Sequence, residues 1–498
     1  MSINHTEKTV DLLIIGGGIN GAAIAADAAG RGLSVVLCEQ GDLACGTSSA
    51  SSQLIHGGLR YLEYGDFRLV RKSLKERAIL QKKAPHLIKP ARFIMPHHPK
   101  LRSAWLIRLG LFLYDHIGGK NVFGKSKKIY LKNTLEGDPL KSDFKTGFST
   151  IDCIGNDARL VVLNAMVAAQ HGAQILTRHK LVSAKRNKDH WQATLSHQQQ
   201  SISITAKMII NAAGPWVEDV LEKLNCRSDL KIRLVQGCHL ITPKLYEGDH
   251  AYILQNEDRR IVFILPYANK FHCIGTTEVD YKGDPGQVKT TATEIDYLCD
   301  CINQHFKQKL TPDQIISNYA GVRLLTQSDP QKSSAISRDY TLEINQDKHS
   351  ALLLSVFGGK ITNHRQLAEQ ALAKIKPFFP HCGNAWTAHT PLPGGDIKDM
   401  TTFIDEMQCA YPWLEATLLQ RYCHTYGTLT KTLLANTNNR QDLGQHFGAD
   451  LYQKEVDYLI RHEWAQTSAD ILWRRTKLGL VFTAEAITQL DNWLADNS

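Results

Sequence analysis

The feature that most narrows what this chain can fold into lies in its first 40 residues. An apolar stretch, 12–15, preceded by Asp11, runs into Gly16-x-Gly18-x-x-Gly21 and an alanine-rich stretch, 22–29. A second apolar stretch, 33–39, then closes on Glu39. This order predicts strand, tight turn, helix and a parallel second strand, a βαβ unit whose turn binds a dinucleotide. The glycines have separate tasks: one permits the turn, one lets the backbone approach a pyrophosphate and one lets helix pack on strand. The helix N-terminus, with Ile19 and Asn20 in its first turn, offers N–H groups to the phosphates. Glu39 suits a ribose hydroxyl and repels a 2′-phosphate.

The first helix alone does not separate FAD from NAD, but three later segments favour FAD. The stretch 46–52 is dense in small hydroxyl residues, including Thr47, Ser48 and Ser49, as suits a loop against a long cofactor. Asn211-Ala212-Ala213-Gly214-Pro215-Trp216 ends a late strand in small residues. Gly358-Gly359-Lys360-Ile361-Thr362 again turns a strand into a helix N-terminus, where the dipole can stabilise charge on a reduced flavin. Turns spread over some 350 residues fit a cofactor that spans a whole domain.

At 498 residues the chain calls for two or three domains. Residues 1–90, with returning segments 151–225 and 315–388, are assigned to an α/β Rossmann-type cofactor domain. The alternating pattern of 226–314, with 91–150, predicts an antiparallel β substrate region. Strand signals fade after the Pro/Gly segment 391–395, so 389–498 reads as a helical C-terminal domain. Helices are expected over 68–83 and over 159–170, the latter capped near Asn156.

A net charge of +9 points to an anionic partner: nucleic acid, an anionic phospholipid surface or a phosphorylated substrate. The basic run at 125–128 is too short for nucleic-acid binding, which is not expected. Eleven cysteines without a C-x-x-C pair fit a reducing compartment, and no metal site is indicated. No stretch reaches the roughly 20 apolar residues of a membrane span. Within 100–118, however, Leu101, Trp105, Leu109, Phe112 and Leu113 recur at near-helical spacing beside Lys100, Arg102 and Arg108. That stretch reads equally as a core helix or as a peripheral membrane contact. The basic segment Arg474-Arg475-Thr476-Lys477 is a second candidate contact.

The chain closely resembles the aerobic FAD-dependent glycerol-3-phosphate dehydrogenases of the bacterial peripheral-membrane type. The resemblance is carried by 11–32 (DLLIIGGGINGAAIAADAAGRG), 48–63 (SSASSQLIHGGLRYLE), 211–217 (NAAGPWV), 251–263 (AYILQNEDRRIVF), Gly321-Val322-Arg323, Ser337-Arg338-Asp339-Tyr340 and 355–362 (SVFGGKIT). It departs at Leu324, where relatives commonly have proline, and at Asn363-His364 in place of Thr-Tyr. The resemblance implies hydride transfer from glycerol 3-phosphate to FAD. It also implies reoxidation by membrane quinone at the cytoplasmic face of the inner membrane, and leaves a homodimer open. Arg60, Arg323, Arg338 and Lys360 take positions of substrate or flavin contact, with Arg60 alternatively structural. His239 is the candidate base, and His56, which the resemblance places with Gly57 against the flavin, competes for that role. Two other functions stay open: an amino-acid or 2-hydroxy-acid oxidase of the same fold, and a non-catalytic flavin-binding or RNA-modifying partner protein.

Overall fold

The structure, a computed structural model, describes residues 8–119, 123–258, 260–327, 336–337, 339–346 and 350–497. The expected βαβ unit is present as β1 (Lys8–Ile15) and β2 (Val35–Cys38), with four early helices α1 (Ile19–Gly30), α2 (Phe67–Lys83), α3 (Ala104–Ile117) and α4 (Asp157–Gln170). Helix α1 is apolar on almost every side, which outside a lipid phase demands burial all round. It packs against α4 and the helix His364–Ile375. The cap foreseen at Asn156 forms: its side chain accepts from the Arg159 N–H at 3.2 Å.

The first sheet runs in the order Thr341–Asn345, Leu352–Phe357, Gln200–Asn211, β1, β2 and Gln174–Leu176. From Leu352–Phe357 to Gln174–Leu176 the pairs are parallel, so the strand ends align. Ile15 stands opposite both Asn211 and Cys38, Asn211 opposite Ser355, and Cys38 opposite Leu176. Each small-residue turn singled out in the sequence therefore leaves the same edge. In open parallel sheets this carboxyl-end edge is where ligands bind.

The second sheet is antiparallel apart from one parallel contact between Ala251–Gln255 and Ile88–His97. It also takes in Leu54–Ile55, all of Thr146–Gly155 and Ser317–Gln327. The two sheets thus share chain more deeply than the segment bounds drawn from sequence: 54–55, 88–90, 151–155 and 317–327 lie in the second sheet. Alternation of apolar side chains marks a strand but not the sheet it joins.

Beyond Met400 the chain is mainly helical, around a core of Phe403, Leu419, Tyr422, Val456, Leu459 and Leu490. It also holds a small hairpin, His446–Gly448 with Leu451–Tyr452, too short to leave a periodic signal. This domain joins α4 through an ion pair with no exposed side-chain surface, in which Arg159 donates to both carboxylate oxygens of Glu463. The segment 474–477 is not a membrane contact. Arg475 has 0 % and Arg474 18 % of its side chain exposed, and Asp42 and Asp470 pair them; Lys477 faces Asp157. A run of cations reads as a solvated or lipid-facing patch until the fold supplies buried carboxylates opposite it.

Candidate active site

A cavity of about 600 Å³ follows the aligned strand ends. Gly16 sits in the left-handed region (φ 110°), and a Cβ there would lie 2.5 Å from the Ala212 carbonyl oxygen. A Cβ on Gly21 would lie 1.9 Å from the Gly16 oxygen, so Gly21 serves helix packing and does not line the cavity. Gly18 and the first turn of α1, Ile19 and Asn20, do line it. Glu39 is fixed by N–H donors from Gly17 (2.7 Å) and Gly41 (2.8 Å). Burial pushes its carboxyl up, and those N–H bonds pull the other way.

The hydroxyl loop closes over the turn. Ser48 accepts from the Ile19 N–H at 3.0 Å, while Thr47 donates to the Val322 carbonyl at 2.6 Å. Ser49 makes only a local bond, to the Gly46 carbonyl, and stays off the cavity wall. Ala213, Gly214, Gly359, Lys360, Ile361 and Thr362 all line the cavity. Gly57 does not: its N–H donates to the Tyr114 hydroxyl, and a Cβ would strike Leu74.

A second, more apolar cavity of about 350 Å³ meets the first where His56, Tyr61, Phe263, Thr276, Glu278 and Arg323 line both. Here the cations gather. Arg323 donates to Thr276 Oγ1 at 3.1 Å, and Arg60 to the Tyr64 hydroxyl at 3.2 Å. Glu278 stands 3.9 Å from each guanidinium. Lys360 Nζ is buried 4.3 Å from the centre of the Tyr61 ring, with no hydrogen-bond partner among the described residues. Arg338 lies outside the described residues.

His239 is placed away from both walls. It is 1 % exposed, its Nε2 lies 2.8 Å from Ser52 Oγ, and its ring stacks on Tyr319. Burial first, and the charge of Arg323 second, lower its pKa to about 3. His56, the sequence-level competitor, is the histidine on the wall of both cavities, with its ring edge-on to Phe263. The sequence reading missed Thr276 and Glu278; their one signal is a Gly-Thr-Thr-Glu run at a strand end, like the other cavity turns. It also missed Lys180, Asp219 and Lys223 at the far end, which sit in ordinary alternating or helical patterns.

The cavity is long, glycine-walled at a helix N-terminus and ribose-ready at Glu39, and its lining includes the Lys360 ammonium and the Asn20 Oδ1, neither with a hydrogen-bond partner among the described residues. These residues fit FAD. The family model for FAD dependent oxidoreductases matches residues 11–365, and that for the C-terminal domain of alpha-glycerophosphate oxidase matches 385–495. A glycerol-3-phosphate dehydrogenase of Pseudomonas aeruginosa is 51% identical over 99% of this chain and 98% of its own. The chain belongs to the FAD-dependent glycerol-3-phosphate dehydrogenase family. Within that family the aerobic enzyme of Escherichia coli is 46% identical over 98% of both chains. A D-erythritol 1-phosphate dehydrogenase of Brucella abortus is also 46% identical, over 99% of this chain and 98% of its own. The solved Bacillus halodurans glycerol-3-phosphate dehydrogenase, complexed with FAD, superposes with a TM-score of 0.78 at 26% identity, covering 99% of this chain and 95% of that one.

Proposed function

We propose that this chain oxidises sn-glycerol 3-phosphate to dihydroxyacetone phosphate, with FAD as the hydride acceptor and a membrane quinone as the final oxidant. The observation that carries this reading is the placement of Arg323 on the walls of both cavities, with Lys360 lining the first and Arg60 the second, beside His56 on both. A phosphate dianion leaves water only when it is paired and hydrogen-bonded, and guanidinium groups do this best. Glu278 holds the arginines in reach of each other and yields them to a stronger anion. When bound, FAD supplies the acceptor for the C2 hydride. The chain's own part is to fix the phosphate, place C2, exclude water with Phe263 and Tyr61, and take the hydroxyl proton at His56.

Anaerobic bleaching of the flavin tests this reading. Glycerol 3-phosphate should bleach it and yield dihydroxyacetone phosphate, and glycerol should be far poorer; equal rates would remove the phosphate pocket. Because one relative is named for erythritol 1-phosphate, that compound belongs beside glycerol 3-phosphate. Faster bleaching with it would change the substrate while keeping the chemistry. Hydrogen peroxide in amounts matching product would instead identify an oxidase.

We place the enzyme peripherally at the cytoplasmic face of the inner membrane, where a quinone is reached. No helix among the described residues is long and apolar enough to cross a membrane. Helix α3 combines both sequence readings: Ile107, Leu111 and Tyr114 enter the core, while Trp105 (68 % exposed), Leu106, Leu109 and Phe112 (58 % exposed) face outward. Arg108 and Lys100 stand exposed nearby, whereas Arg102 is tied to Glu63 and Gln255. Leu106, Leu109 and Leu113 also line the second cavity, which leads from this face towards the flavin end. Such a face suits insertion into the headgroup boundary. The double variant Trp105→Glu, Phe112→Glu should leave anionic vesicles for the supernatant, whereas high salt should release the wild type only in part. Continued sedimentation of the double variant with vesicles would move the contact elsewhere.

A further inference from the structure

The buried cations of the C-terminal domain end on the loops that form the cofactor cavity. Arg475 donates to both carboxylate oxygens of Asp42, each at 2.8 Å, and Arg474 Nε donates to Asp42 Oδ2 at 2.6 Å. Asp42 lies in the loop that follows β2, three residues after Glu39. That loop has little regular structure of its own. It is held to the glycine turn by the Glu39 carboxylate and by the Ala44 N–H, which donates to the Gly17 carbonyl at 3.0 Å. Two residues on, Lys477 Nζ stands 3.9 Å from Asp157. Asp157 in turn accepts from the Ser51 N–H (3.1 Å) and hydroxyl (2.8 Å), on the loop that lines the cavity further along. One short strap, 474–477, thus reaches both cofactor loops from more than 400 residues away in sequence.

We propose that this strap is a positioning element of the FAD site. Arg474 and Arg475 hold the ribose-facing loop through Asp42, and Lys477 holds the hydroxyl loop through Asp157. None of the three touches the cavity; each acts through a carboxylate that does the bracing. The physical case is pre-organisation. Asp42 and Glu39 are two buried carboxylates in one loop, and their mutual repulsion is tolerated where guanidinium groups neutralise one of them. Freed of its cations, Asp42 would turn towards water and carry the Glu39 loop with it, so FAD would have to order that loop on binding. The C-terminal helical domain is then part of the cofactor site, and its loss is felt first as loss of flavin.

The inference rests on FAD being the ligand of this cavity, and flavin released from the wild-type holoprotein identifies it independently. The test is FAD release on dilution of the holoprotein, read as recovered flavin fluorescence, together with melting curves with and without excess FAD. Asp42→Asn should raise the dissociation constant for FAD about tenfold, the scale of one hydrogen bond to a charged group. Arg474→Gln, at the more exposed end of the cluster, should raise it about threefold, and Arg474→Lys should restore most of the affinity because an ammonium still neutralises Asp42. If Asp42→Asn yields no folded protein, the Arg474 pair decides. In each weakened variant the rise in melting temperature produced by FAD should shrink. Both variants melting lower while binding FAD with the wild-type constant would mean that the strap only joins two domains, and would overturn the proposal.

Discussion

Anaerobic mixing of the Lys360→Met variant with glycerol 3-phosphate should reduce its flavin about 10²- to 10³-fold more slowly than the wild type, the scale on which a single pre-placed donor to developing charge acts. Lys360 stands where the strand Leu352–Phe357 turns through Gly358 and Gly359, both with positive φ, into the short helical turn Ile361–Asn363. The backbone leaves the sheet sharply there and delivers the side chain into the cavity instead of along its wall. Its ammonium lies against Tyr61, lacking a hydrogen-bond acceptor among the described residues. A buried ammonium without a hydrogen-bond acceptor is costly to keep in a folded protein unless a ligand completes it. Methionine preserves the stem and the approximate volume, so the cavity shape is retained and the charge alone is lost. Two roles are separable by kinetics. A lysine that only binds the substrate phosphate would raise KM and leave the limiting rate intact; one that stabilises negative charge arising in the transition state would lower the limiting rate itself. The expected result is the second, and a wild-type limiting rate would reduce Lys360 to a binding residue.

What could be read from sequence follows the range over which each signal acts. Gly16, Gly18 and Glu39 were legible because their demands are local: a positive φ, a close backbone approach, a carboxylate at the end of β2. The strand Leu352–Phe357 and the cap at Asn156 were legible for the same reason. The meeting of Arg60, Arg323 and Lys360 was not visible in periodicity or charge, since they come from a 3₁₀ turn, an antiparallel strand and a parallel strand end of two different sheets. Family motifs, not physical pattern, brought those three together. The strap 474–477 shows the limit most plainly. Its cations read as a surface patch because the partners that bury them, Asp42 and Asp157, are separated from them by hundreds of residues. Helix α3 was undecided for a different reason: its apolar residues cover more than one face, so that periodicity alone could not say which face the core would take.

The two histidines are separable by the rate of flavin reduction. Stopped-flow reduction of His56→Asn should be slower by about 10²- to 10⁴-fold, the usual worth of a positioned base, while His239→Asn should lose less than about tenfold. Geometry comes first in choosing a base, and His56 is the histidine on the wall of both cavities. Its backbone N–H donates to Thr362 Oγ1 at 3.2 Å, and Phe263 packs edge-on against its ring, so the imidazole is held on the wall that Arg323 and Lys360 also line. His239 lies behind Ser52, stacked on Tyr319, and shut off from solvent. Proton affinity points the same way. With its pKa lowered to about 3, His239 stays neutral throughout the working range and gives little driving force for taking a proton from an alcohol. Asparagine can keep a hydrogen bond to the Ser52 hydroxyl, so the variant at position 239 isolates proton transfer from loop support. Both proteins should retain flavin. A large loss at His239 with a small one at His56 would show that the proton leaves through Ser52 to the buried ring, and would return the base to His239.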